Sequence, residues 1–77
     1  MQLTWTQEIW NQWVSDKSQP LFYRIMVSTS DGTCFVIRYE NHGSFTYNTT
    51  IGEGIANLQS AQGLCQNDAY TNPFPPV

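Results

Sequence analysis

Charge is what this 77-residue chain has least of: 12% of its residues are Asp, Glu, Lys or Arg, against about 25% in an average soluble domain. Three residues are basic, Lys17, Arg24 and Arg38, and the formal net charge is −3. Tight nucleic-acid binding draws on several phosphate-neutralising Lys and Arg contacts, so nucleic acid is not the expected partner. No acidic run or stripe exists that would mimic DNA. There is one histidine and there are two cysteines, Cys34 and Cys65. A structural zinc site needs four N or S ligands, so none is expected, and no cofactor motif is present. No apolar run approaches the length needed to span a bilayer, and the N-terminal stretch lacks a basic segment followed by an apolar one. A soluble, cytoplasmic protein is expected, with no membrane association.

Catalytic groups are equally sparse. His42 and Cys34, read on one strand, lie about 26 Å apart, too far for a nucleophile–base pair. "IGEGIAN" has Gly-x-Gly near a helix start, but Asn57 replaces the third glycine of a phosphate-binding turn and no βαβ unit precedes it. In a cytoplasmic setting Cys34 and Cys65 are expected as two buried thiols and not as a disulfide. The chain does not read as an enzyme.

Aromatics, in contrast, make up 14% of the chain. All three tryptophans fall in "TWTQEIWNQWVSD". At 100° per residue, Leu3, Trp5, Ile9, Trp10, Trp13 and Val14 occupy one half of a helical wheel and Gln7, Glu8, Gln12, Asn11 and Ser15 the other. This predicts an amphipathic first helix, started by a Thr4/Gln7 capping box and stopped by Pro20. Trp5 and Trp13 are expected to anchor it, with Trp10 on the edge of the arc and available to a partner.

The stretch "LFYRIMVSTSDGTCFVIRYE" predicts a hairpin. Asp31-Gly32 is the pair favoured in a two-residue type I′ turn, with Ser30 opposite Thr33. Alternation then places Leu21, Tyr23, Ile25, Val27, Cys34 and Val36 on one face. Phe22, Arg24, Met26, Phe35, Ile37 and Tyr39 take the other. A third strand is expected over residues 44–49. A two-residue turn would send Phe45 and Tyr47 to the core, and a three-residue turn would send them outward. "TTIGEGIANLQSAQGLC" predicts a second helix with a Thr50/Glu53 capping box and an apolar arc of Ile51, Gly54, Ile55, Leu58, Ala61 and Cys65.

The expected fold is α+β: α-β-β-β-α over residues 1–66, with a three-stranded antiparallel meander, two helices on one face and a Pro-rich tail over 67–77. That element order, over about residues 4–65, resembles the double-stranded-RNA-binding domain. The family's phosphate grip requires basic positions where this chain has Ile51, Gly52, Glu53 and Asn57, so the activity is not carried over. A nucleic-acid-binding domain of that topology, with bases stacked on the aromatic sheet face, is kept as the alternative function. The leading expectation is a non-enzymatic protein-binding module. Both sheet faces are apolar and only one is needed for a core, which leaves Phe22, Met26, Phe35, Ile37 and Tyr39 as a contact centre. Arg24, Arg38 and Trp10 would be flanking contacts. The competing reading has the first helix and the tail wrapping over that face. In size and lack of catalytic groups the chain is similar to phage and mobile-element inhibitors such as anti-CRISPR proteins. The expected partner is a protein, a host nucleic-acid-processing complex in that comparison, with self-association to a dimer as a further use of the same face.

Overall fold

In a computed structural model that describes residues 2–75, the central pair of strands is the one the sequence marks most clearly. Five strands, β1 (Thr6–Ile9), β2 (Gln12–Val14), β3 (Leu21–Val27), β4 (Cys34–Asn41) and β5 (Thr46–Ile55), are followed by one helix, α1 (Leu58–Thr71). They form one antiparallel sheet in the order β1-β2-β3-β4-β5. This corrects the expected α-β-β-β-α fold: the sheet has five strands, not three, and among the described residues there is one helix, following the last strand. The likeness to the double-stranded-RNA-binding domain goes with it.

The tryptophan stretch forms the β1–β2 hairpin, with Thr6 opposite Val14 and Ile9 opposite Gln12. Its apolar residues suit a helical wheel, but Trp, Ile, Val and Thr are mediocre helix formers and good strand formers. As a strand, residues 12–14 pair with β3 and satisfy backbone groups that would otherwise form an open apolar edge. Trp5 and Trp13 still pack against the core. The following turn is tied by Asp16, whose Oδ1 accepts from the Ser18 N–H at 2.9 Å.

Between β3 and β4, Val27 lies opposite Cys34 and Ile25 opposite Val36. The Ser28 N–H donates to the Thr33 carbonyl at 2.8 Å, and the Gly32 N–H to the Ser28 carbonyl at 3.0 Å. The loop therefore spans residues 29–32 and is not a two-residue Asp-Gly turn. Gly32 has a φ of +75° and Asp31 does not have positive φ. The Asp31 side chain instead accepts from the Thr33 N–H at 2.9 Å. The register differs from the expected one by two residues, and an even shift leaves every side chain on its expected face.

β5 runs to Ile55, so the capping box at Thr50 and Glu53 does not start a helix. Register shifts interrupt its pairing with β4 around Val36, and Gly54 adopts φ +63°, as a bulge requires. An added Cβ on Gly52 would lie 2.6 Å from Leu64 Cδ2, so this glycine admits the helix close to the strand. α1 is capped at its start by Asn57, whose side chain accepts from the Ser60 N–H. Its sheet-facing stripe, Ala61, Cys65 and Ala69, is buried. The helix continues to Thr71, five residues into the segment assigned to the tail. Positions 1, 76 and 77 of the assigned domain and tail lie outside the described residues. Leu3, Leu21, Tyr23, Ile25, Cys34 and Val36 meet the helix stripe in one core.

Candidate functional site

Alternation along β3 and β4 divides the sheet into two unlike faces. Leu21, Tyr23, Ile25, Cys34, Val36 and Arg38 are buried under α1, while Phe22, Arg24, Met26, Phe35, Ile37 and Tyr39 are partly buried. These six belong to neither the core cluster nor its partly buried margin. Among the described residues, no helix or strand packs across them: α1 contacts β3, β4 and β5 from the core side. The wrapping alternative is not what the chain does. The N-terminal segment is a sheet hairpin, and Phe74 of the tail packs against the core.

Register brings the six together. Phe22 lies opposite Tyr39, Arg24 opposite Ile37 and Met26 opposite Phe35. The Phe22 and Tyr39 rings stack at 4.8 Å between centroids and 3° between planes. Arg24 lies 5.9 Å from the Tyr39 ring centroid and is ion-paired with Glu8, which also accepts from Lys17 at 2.7 Å. These cations hold the Glu8 carboxyl below its usual value, the Lys17 hydrogen bond contributing most. Trp10 stands apart from the patch, at the tip of the β1–β2 hairpin, 71% exposed beside Ile9.

Arg38 departs from its expected role as a flanking contact. It is on the core face, 9% exposed, in a network that sequence reading did not find. Its Nη1 donates to Asp68 Oδ2 at 2.6 Å and to the Tyr23 hydroxyl oxygen at 3.3 Å. The Tyr23 hydroxyl itself donates to Asp68 Oδ2 at 2.6 Å. Arg38 Nε donates to Glu40 Oε2 at 2.9 Å, and His42 Nε2 lies 3.2 Å from Glu40 Oε1. The His42 ring stacks on Phe45 and meets Phe74 at 4.7 Å. Phe45 and Tyr47 remain 57% and 56% exposed. Tyr47 sits opposite Glu40, on the helix side but clear of the core.

The ionisable groups of this network are engaged with one another. Among the described residues, no buried side-chain nitrogen or oxygen lacks a hydrogen-bond partner, and no cluster of His, Cys, Asp and Glu could hold a metal. Burial pushes Asp68 up, but hydrogen bonds from Tyr23, Arg38 and Asn72 outweigh it and hold the carboxyl below its ordinary value. The Arg38 hydrogen bond likewise lowers Glu40. Burial, reinforced by the Asp68 bond, raises Tyr23. Burial also pushes the Cys65 thiol up to about 12 and raises Cys34, so neither thiol is a nucleophile near neutral pH. Both are free and buried. A cavity of about 280 Å³ lies beside the N-terminal segment, lined partly by Thr4, Ser15, Asp16 and Gln19. Its Ser15 hydroxyl is spent on the Tyr23 N–H at 2.8 Å and its Asp16 carboxylate on the turn. It has no reactive pair.

The network fixes a pH dependence. The lowered carboxyls of Asp68 and Glu40 give stability that is present above about pH 4 and lost as pH falls through their folded-state values. The raised Tyr23 phenol gives stability that is present below about pH 10 and lost as pH rises through its folded-state value. Thermal melts are expected to show a plateau between these limits and a fall on both sides. Asp68→Asn should flatten the acid limb, and an unchanged acid limb in that variant would remove Asp68 from the account.

No family model matches this chain, and no curated protein or solved structure matches it. No helix among the described residues is long and apolar enough to cross a membrane.

Proposed function

We propose that this protein works by binding a protein partner through the open face of its sheet. The observation that carries the reading is the row Phe22, Met26, Phe35, Ile37 and Tyr39, aligned across β3 and β4 with no element of the described residues packed over it. An aromatic, Met-containing patch with a single cation, Arg24, matches the composition of interface centres. Arg24 is pre-positioned by Glu8 and Tyr39, so little ordering entropy remains to be lost on binding. Trp10 at the hairpin tip would reach the partner beyond the patch.

Inhibition of a nucleic-acid-processing complex, as by anti-CRISPR proteins, is the special case that the chain's size and lack of catalytic groups support. A cytoplasmic setting belongs to the same reading and is supported by its two free thiols. Direct nucleic-acid binding is not favoured, because Lys17, Arg24 and Arg38 are each already paired with a carboxylate.

The test compares the wild-type chain with Phe35→Asp in parallel affinity captures. The expected result is a single protein or complex retained in near-stoichiometric yield by the wild type and lost with Phe35→Asp, at least about tenfold, as for a hot-spot residue. The variant's circular dichroism spectrum should stay unchanged. Equal recovery by both chains, no retained protein, or loss of the folded spectrum in Phe35→Asp would each overturn the reading.

A further inference from the structure

The two edges of the sheet are protected very differently. β1 is four residues long, its pairing is interrupted between Gln7 and Ile9, and it carries Glu8 ion-paired to Lys17 and Arg24. Short length, irregularity and charge are the usual means of keeping an edge from pairing with other chains. β5, at the opposite edge, is ten residues long. Its second half is guarded by the register shifts, Glu53 and Gly54. Residues 46–50, Thr-Tyr-Asn-Thr-Thr, have no charge, proline or glycine, and all five are exposed.

The hydrogen-bond register says which backbone groups of this half are free to pair outward. The His42 N–H donates to the Phe45 carbonyl at 2.9 Å, and the same register sets Glu40 opposite Tyr47 and Arg38 opposite Thr49. Antiparallel pairs alternate between bonded and non-bonded, so Tyr47 and Thr49 direct their backbone groups to β4. Thr46, Asn48 and Thr50 direct theirs away from the sheet. Three outward-facing residues at a spacing of two, centred on Asn48, form a self-complementary array.

We propose that this edge pairs antiparallel with the same edge of a second copy of the chain, about a two-fold axis at Asn48. Asn48 then lies opposite its own counterpart and Thr46 opposite Thr50, and each of these pairs exchanges both backbone hydrogen bonds. On the helix side, Tyr47 of one copy meets Thr49 of the other, an aromatic and β-branched pair of the kind that stabilises neighbouring strands. With no charge on residues 46–50, no like charges are set opposite one another along the paired edge. Such an interface is isologous and closed, so assembly stops at two. The two sheets become continuous with their open faces on the same side. The dimer does not depend on what the open face binds.

Sedimentation equilibrium of the full chain tests this. The wild type is expected at twice the chain mass at high concentration, with the amides of Thr46, Asn48 and Thr50 gaining hydrogen-exchange protection as concentration rises. Asn48→Lys opposes two like charges at the axis and should weaken the dimer at least about tenfold, with the circular dichroism spectrum unchanged. Mixing Asn48→Lys with Asn48→Asp should restore a dimer that neither forms alone, because position 48 faces itself only in this arrangement. A one-chain mass at every soluble concentration overturns the proposal, as do open-ended oligomers. So does a dimer that survives Asn48→Lys and is dissociated by Phe35→Asp, which would place the contact on the sheet face.

Discussion

Arg38→Met is expected to destabilise the protein by about 3–5 kcal/mol, the usual cost of removing one partner from a buried ion pair. Arg38 and Asp68 side chains are 10% and 15% exposed, so solvent screens little of the loss. Without the guanidinium, Asp68 retains the Tyr23 and Asn72 hydrogen bonds but no counter-charge, and Glu40 loses its bond from Arg38. At about 0.05–0.15 kcal/mol per residue of net stability, a chain this short has little to spare. At about 4–8 °C per kcal/mol for domains of this size, the melting temperature should fall by well over 10 °C. The double variant Arg38→Met/Asp68→Leu should recover most of the loss, because the buried charge is then gone from both sides. Urea titrations of the two variants check this directly. A single-variant loss below about 1 kcal/mol, typical of a surface pair, would show that solvent reaches the network and that it does not hold α1 to the sheet.

That network also marks where the sequence stops being legible. Arg38 falls on the core face by strict alternation with Cys34 and Val36, and a lone arginine on an apolar face signals a buried partner. The partner, Asp68, is 30 residues away in a stretch that reads as tail, and no local pattern connects the two. The β3–β4 hairpin was readable because alternating faces survive a wrong loop length as long as the register error is even. The N-terminal segment was not. Trp5, Ile9 and Trp13 recur at helical spacing, but the strand identity of residues 12–14 is set by the unpaired edge of β3, a tertiary demand that overrides propensity. The roles of Gly52 and Gly54 are hidden from the sequence pattern for a related reason. In a helix they would only be weak residues, whereas one gives clearance for Leu64 and the other takes the positive φ of a bulge.

Ile25→Ala and Ile37→Ala should differ sharply, although the two residues lie on neighbouring strands and delete the same atoms. Ile25 is 0% exposed, lies opposite Val36 and Trp13, and belongs to the core cluster. Truncating it leaves a cavity under α1 as well as losing transfer free energy, which together cost about 2–5 kcal/mol for a buried isoleucine. Ile37 points to the other face, is only partly buried and is outside that cluster. Water fills the space left by its removal, so the cavity contribution is absent and about 1 kcal/mol or less is expected from the lost area. Chemical denaturation of both variants at the same pH measures the difference. A gap of about 2 kcal/mol or more establishes that the core lies on one side of the sheet and that the aromatic face contributes little to folding. Equal losses would mean that the second face is a core in its own right, and the protein-binding role proposed for it would then lose its physical basis.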